Sequence, residues 1–537
     1  MNQSPDFIDA ANEIVTEGLQ LTRAKCLEDG KFDSSQMDDH QQAIYALAVS
    51  ASELQAAHAM LVYADSQSDF ELRLADCFAA EAIHSVYTRL LPIAAEYGLS
   101  SWPEGLTSFV GATLTTKNLT NLGQALIGRN GNVGDRALDQ EKSLMAETFA
   151  QFADEVVAPL AEDIHRHNLS IPDDILKGIR ELGCFGLSVP QRYNGLLPDD
   201  QEDSLGMIVV TEELSRVSLG GAGSLITRPE IMARALMQGG TEEQKAHWLP
   251  KLAAGNPLCA IAITEPDFGS DVASVRLKAT ATEEGWILDG AKTWSTFAGK
   301  AGVLLVLART DPDLNLGHRG LSLFMVEKPS FDEESFEVEQ PQGGMLFGKA
   351  IPTVGYRGMH SYQLFFDNFL VPDTHLIGEG QGIGKGFYFT MRGFTGGRIQ
   401  TAARACGVMQ GAIDKSVRYT QERKVFGKPI GDYQLTRVKL ARMAMYLCAS
   451  RQFTYAVGRL MDQGEGQMEA SLVKLFACRA AEWITREAMQ LHGGMGYAEE
   501  TDVSRYWLDA RVLSIFEGTE EALALKVVGR SLLENSG

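Results

Sequence analysis

The segment Val512–Leu523 reads VLSIFEGTEEAL, and its Glu517 follows Ile515 and Phe516 in a run otherwise apolar enough to be core. A carboxylate among such neighbours loses hydration, which favours its neutral form and makes it a better base. The chemistry would be removal of a proton; the alternative is an exposed glutamate in a first helical turn, complementing the helix dipole. Four other stretches carry groups that could serve such a base. ITEPDFGSD (Ile263–Asp271) offers hydroxyls and free backbone N–H groups at the end of a strand-like run, as an ordinary β-turn also would. AKTWST (Ala291–Thr296) sets an indole beside hydroxyls, a wall for a planar heterocycle or simply core. QERKVFGKPI (Gln421–Ile430) places Arg423 and Lys424 before Phe426 and Gly427, where they could meet an anion and a ring or only complement a helix end. QLHGGMGY (Gln490–Tyr497) packs three glycines into four residues, so a backbone could approach a pyrophosphate closely. It follows a helix and is not GxGxxG, so the Rossmann reading fails; a glycine helix stop is the alternative.

These residues need elements to hold them. Residues 1–125 read as helices, with alanine-rich stretches in which apolar residues return every three or four positions. IGRNGNVGDRALDQ reads as a linker over 126–141, and a helical domain follows over 142–258, with Ser170 as an expected N-cap and Pro172 in the first turn of its helix. From Cys259 short strand-like runs take over, among them GWILDG, AKTWST and GVLLVLA, giving a β-domain over 259–380. Asp289–Gly290 is the expected hairpin dipeptide. Helical periodicity returns over 381–537. A length of 537 residues and 45% hydrophobic content suit a large multidomain globular protein. A formal charge of -22 argues against nucleic acid or an anionic membrane as partner. The seven scattered cysteines suggest free thiols and no metal site, and the lack of a signal peptide or membrane span suggests the cytoplasm.

In order and spacing, TEPDFGSD, the WST strand, RKVFG, QLHGGMGY and FEGT resemble the acyl-CoA dehydrogenase family, over about residues 140–535. The resemblance implies an α+β multidomain fold: a helical domain, a central β-barrel or sandwich and a carboxyl-terminal helical bundle, here with an amino-terminal helical extension. It also implies FAD, an acyl-CoA thioester and an electron-transferring flavoprotein as electron acceptor. Carried over, Thr264, Ser270, Trp294, Thr296 and Thr519 meet the flavin, with Thr296 near N5. Arg423, Phe426, Gln434, Gln490, Gly493 and Gly494 meet the nucleotide half of a neighbouring subunit's flavin, so a homo-oligomer, a dimer or tetramer, follows. Ser270 and Arg398 would face the substrate.

Under this resemblance the proton is the thioester's α-hydrogen, with Glu517 as the catalytic base. Some relatives carry the base on an earlier helix, where this chain has Gly396 and Gly397, which cannot serve. Thr395 stands where an aspartate is common, and GYRGMHSYQ (355–363) departs from the commoner GxRxSxT, with Met359 and His360 beside the flavin; a lone His360 is more often a satisfied polar residue than a catalyst. The extension is unusual in size for the family and, with GYRGMHSYQ and IFEGTEEALAL, points to a short branched acyl-CoA. A second carboxylate on that acyl group would need a cation, and Arg228 in SLITRPEIM lies on the expected pocket-facing helix. An Arg before Pro229 can equally begin a helix and point to water. Another acyl-CoA substrate, an acyl-CoA oxidase and a non-catalytic binding protein remain as alternatives; oxidases usually run longer past the base.

Overall fold

The computed structural model describes residues 3–537, apart from the side chain of Arg392. The chain forms two compact units, one of residues up to Leu144 together with Thr401–Gly537, the other Met145–Gln400.

In the first unit, the extension supplies α1 (Ser4–Lys25), α2 (Gln41–Ala64), α3 (Asp69–Tyr97), α4 (Leu106–Thr113) and α5 (Thr116–Gly128). The ends of α3 follow local chemistry: the Ser68 hydroxyl accepts from the Phe70 N–H, and Gly98 takes left-handed backbone beyond the last turn. Most alanines of α2 and α3 lie buried, so neighbouring helices approach closely. At Gly123 of α5 a Cβ would meet the Arg437 carbonyl oxygen at 1.9 Å, so the extension packs directly on the carboxyl-terminal helices.

In the second unit α6 (Gln140–Phe152, which begins in the first unit), α7 (Ala158–Arg166), α8 (Asp173–Glu181), α9 (Ser204–Val217), α10 (Thr227–Gly239) and α11 (Glu242–Ala253) precede a sheet. Ser170 does not cap α8: Pro172 occupies the N-cap, its fixed φ and ψ 149 starting the helix without a side-chain bond. The sheet strands are β1 (Cys259–Ala262), β2 (Lys278–Thr282), β3 (Gly285–Thr296), β4 (Val303–Arg309), β5 (Leu321–Glu327), β6 (Ser335–Glu339), β7 (Met345–Ile351) and β8 (Ser361–Val371). They run in the order β1-β4-β2-β3-β8-β7-β6, with β5 beside β4. Asp289–Gly290 is no hairpin turn, since β3 runs straight through it and the turn lies at Thr282–Gly285. The glycine is needed for a different reason: Gly290 sits at φ 135, where a Cβ would meet the Leu277 Cα at 3.1 Å.

The helix α12 (Gly386–Glu422) runs from the second unit into the first, and α13 (Gln434–Asp462), α14 (Gln467–His492) and α15 (Asp502–Leu513) follow. The cysteines are free and buried. Among the described residues no helix is long and apolar enough to cross a membrane.

Candidate active site

In the second unit the candidate residues stand on strand ends. Trp294 has φ 56 and is 57% exposed, at a register shift between β3 and β8 that turns its indole out of the sheet. Two residues on, the Thr296 hydroxyl lies 2.9 Å from that of Ser361. Between them Ser295 Oγ is buried with no hydrogen-bond partner among the described residues. Thr264 is brought to the same place by the Thr293 N–H, which donates to its carbonyl at 2.8 Å, and Ser270 lies exposed on the turn beyond.

That turn is held by a group sequence reasoning passed over. Glu265 is buried and accepts from the N–H groups of Arg276 (2.7 Å) and Leu277 (2.8 Å). Lys292, fully buried on β3, donates to Glu265 Oε1 and to the Ile263 carbonyl, each at 2.8 Å. Burial pulls the Lys292 ammonium down to about 8, and Glu265 pulls it back up. The signal was present in AKTWST, where a lysine takes an inward position among core residues.

Arg228 lies in the first turn of α10 but does not point to water, being 7% exposed. Its guanidinium donates to the Ser224 carbonyl at 2.8 Å and to the Tyr356 hydroxyl at 3.1 Å; no carboxylate pairs with it among the described residues. Tyr356 (φ 56), Gly358 (φ 105) and His360 (φ 34) crowd left-handed backbone into the loop that leads to Ser361. His360 is buried, its Nε2 has no hydrogen-bond partner among the described residues, and burial holds its pKa below the ordinary imidazole value. Arg398 is half-buried on α12. At Gly396 a Cβ would meet the Glu230 Oε1 at 2.6 Å, so a side chain there would have to displace the Glu230 carboxylate of α10. The Thr395 hydroxyl lies 3.4 Å from the Met391 carbonyl, a weak bond back onto its own helix.

In the first unit Glu517 occupies the short loop after α15, at φ 55, with Gly518 next at φ 96. Left-handed backbone costs a side-chain-bearing residue about 1–2 kcal/mol, so something must hold it. Lys474, 1% exposed on α14, donates to the Phe516 carbonyl at 2.7 Å and to that of Gly518, gripping the chain on both sides of Glu517. Arg404, fully buried, sits 4.8 Å from the centre of the Phe516 ring. The Thr519 hydroxyl caps the next helix, accepting from the Ala522 N–H at 3.2 Å. Glu517 is therefore not a first-turn helical residue, and among the described residues neither its carboxylate nor its N–H has a partner. The apolar wall is thinner than the sequence suggests: Ile515 is 49% exposed and Phe516 only half-buried.

The remaining residues gather elsewhere in that unit. Tyr419, one turn before Arg423, stacks on His492 with ring centres 4.2 Å apart, which joins the end of α12 to the Gly493–Gly494 turn. At both glycines a Cβ would meet nothing within 4 Å, and Gly493 has φ 60, so the turn is both a helix stop and an open surface. Phe426 (φ 48) and Gly427 (φ 88) tip a small hairpin, and the Phe426 ring is 98% exposed. Gln434 opens α13 and Gln490 lies near the end of α14, both exposed. Lys474 and Gln490 are sixteen residues apart on α14, about 24 Å at the helical rise, so Glu517 and the glycine turn are separate places within one chain.

The sequence profiles of the acyl-CoA dehydrogenase N-terminal, middle and C-terminal domains match residues 139–256, 260–369 and 384–533. The (2S)-methylsuccinyl-CoA dehydrogenase of Cereibacter sphaeroides is 41% identical over 80% of this chain and 75% of its own. The chain belongs to the acyl-CoA dehydrogenase family. Among solved structures, one described as the electron transferring flavoprotein of Acidaminococcus fermentans contains a chain matching with TM-score 0.68 at 30% identity, over 75% of this chain and 100% of that one. A glutaryl-CoA dehydrogenase from Mycobacterium smegmatis in complex with FADH2 matches with TM-score 0.65 at 28% identity, over 75% and 97%. The protein is thus an oxidoreductase with FAD as its cofactor, and the residues present fit that group. An outward indole, the half-buried Thr296 hydroxyl two residues on and two open glycines are what a ring edge and a pyrophosphate require.

Proposed function

We propose that this protein oxidises (2S)-methylsuccinyl-CoA to mesaconyl-CoA and passes the electrons to an electron-transferring flavoprotein. The observation that carries the substrate reading is Arg228. A buried guanidinium whose partners are a carbonyl and a phenol lacks a counter-charge, which is costly unless a ligand brings one. Two N–H groups of a guanidinium match the two oxygens of a carboxylate, and a succinyl-type acyl group supplies that carboxylate at its far end. The likeness to the Cereibacter sphaeroides enzyme points to the same substrate.

In this reading Glu517 takes the α-proton, its unengaged carboxylate held ready by the grip of Lys474. Its backbone N–H donates to the thioester oxygen, stabilising charge that develops as the proton leaves. Bound FAD would accept the β-hydrogen as hydride. Trp294 walls the ring, Thr296 and Ser361 orient its edge, and Thr264, Ser270 and Thr519 add hydrogen bonds. Arg398 steadies the CoA moiety. Arg423, Phe426, Gln434, Gln490, Gly493 and Gly494 bind the nucleotide half of a neighbouring subunit's cofactor, which accounts for an aromatic ring left 98% exposed at the hairpin tip.

The test is anaerobic bleaching of the flavin with a panel of acyl-CoAs. Methylsuccinyl-CoA should reduce it at least about tenfold faster than butyryl-, isovaleryl- or glutaryl-CoA, since charge and length must both match. Equal or faster bleaching by a neutral acyl-CoA would contradict the assignment.

A further inference from the structure

We infer that the amino-terminal extension takes part in positioning the base: Tyr45 of α2 holds the Glu517 loop through Glu520. The inference rests on reading Glu517 as the base. Family domain matches begin at residue 139, so α2 lies outside the shared part of the chain. Its packing is nevertheless directed at the segment that follows Glu517.

The loop is closed across Glu517 by the Glu520 N–H, which donates to the Ser514 carbonyl at 3.0 Å. Glu520 is therefore the downstream anchor, as Lys474 is the central one. Its carboxylate accepts from two groups at once, the Arg479 guanidinium of α14 and the Tyr45 hydroxyl of α2. Arg479 also donates to the Tyr45 oxygen at 2.7 Å, so the three groups form a closed triangle. The contact continues along the chain. Asp38 accepts from Lys526 at 2.6 Å, and a Cβ at Gly529 would meet Ile44 of α2 at 2.3 Å. The extension thus touches the segment after the base at three successive places.

The triangle matters because an Arg–Glu pair alone at a surface contributes little and is easily rearranged. Tyr45 adds a third corner from another helix beside the carboxylate, whose Glu520 side chain is 19% exposed. Burial, reinforced by the neighbouring Glu520 carboxylate, pushes the Tyr45 phenol up to about 12, so it remains a donor throughout the working range. A residue in left-handed backbone keeps its place only where the surroundings over-determine it. Lys474 and the Tyr45–Arg479–Glu520 triangle together do so for Glu517. In this inference Tyr45 acts through Glu520, so it is a positioning residue.

The experiment is stopped-flow reduction of the full-length holoenzyme by acyl-CoA, with Tyr45→Phe, Glu520→Gln, the double variant and Glu517→Gln in parallel. Tyr45→Phe and Glu520→Gln should each lower the rate constant of flavin bleaching roughly tenfold, in the range expected for a misplaced catalytic group. Bleaching amplitude per bound FAD and acyl-CoA affinity should stay at wild-type values. The kinetic isotope effect with α-deuterated substrate should rise, because proton removal becomes more fully rate-limiting. The double variant should lose no more than either single one, since all act through one anchor. A rate constant within twofold of wild type, or a loss confined to amplitude, overturns the inference. If Glu517→Gln is inert while Tyr45→Phe keeps the wild-type rate constant, this inference alone fails; if Glu517→Gln still bleaches, the base reading fails and takes it along.

Discussion

The strand bearing Trp294 and Thr296 and the loop bearing Glu517 each rest on a buried lysine, used in opposite ways. Lys292 pairs with a carboxylate, and that pair ties two β-segments into a rigid frame. Lys474 instead grips backbone carbonyls on either side of the base and leaves the Glu517 carboxylate unengaged. The frame needs only to hold a flat ring, so a fully satisfied ion pair suits it. If Glu517 is the base we propose, it must stay reactive, and the cation secures its backbone and not its charge. Under the proposed function, binding falls on sheet and proton transfer on a strained loop held by Lys474.

If that division holds, substitutions on the two sides should fail differently. Glu517→Gln should cost two to four orders of magnitude in flavin reduction, the usual range for a general base, with FAD content and acyl-CoA binding intact. Retained reduction would place the base elsewhere. Lys474→Met should come next, leaving two carbonyls without their donor. A loss of about 2–4 kcal/mol of stability is expected by denaturant titration, together with slower reduction in the protein that remains folded.

Lys292→Met should act on stability with little change in the rate constant per bound flavin, and its cost should depend on pH. The folded-state pKa near 8 lies below that of the unfolded chain, so above pH 8 the unfolded state holds more protons. The lysine's contribution therefore grows from about pH 8 towards 10.5 and is lost as pH falls through 8. The gap in unfolding free energy between wild type and Lys292→Met should be about 1–2 kcal/mol wider at pH 9.5 than at pH 7.5. A gap independent of pH would mean that the ammonium is not so buried. The smallest effect is expected at Thr296→Gly, which removes one hydroxyl from the pair with Ser361. Substrate reduction should slow by about tenfold or less, the range of one neutral hydrogen bond; unchanged reductive and oxidative half-reactions would remove Thr296 from the site.

The sequence displayed the binding side more fully than the base's support. Trp294, Thr296 and the glycine turn stand in compact motifs, so type and spacing already suggested their chemistry. Glu517 was legible because a carboxylate after Ile–Phe is conspicuous. Its support was not, since Lys474 lies 43 residues before it in an apolar run, where only the packing of α14 shows what its ammonium meets. Strands β6 and β7 escaped notice because β6 is an edge strand with charged outward positions and β7 is interrupted by Gly348 and Lys349, so neither has a long apolar run. Asp289–Gly290 misled because a glycine required by close approach inside a sheet looks like one required by a turn. Arg228 could be read either way, and its burial decides against the solvent-facing reading.

The central claim is that this dehydrogenase selects an acyl group with a distal carboxylate through Arg228, and the measurement that tests it most directly is kcat/KM on two substrates for two proteins. Arg228→Met should cost about 2–5 kcal/mol towards methylsuccinyl-CoA, on the order of 30-fold or more, the penalty for removing one partner of a buried charge pair. Towards a neutral acyl-CoA of similar size the same substitution should change kcat/KM by only a few-fold. An equal loss on both substrates would contradict the account.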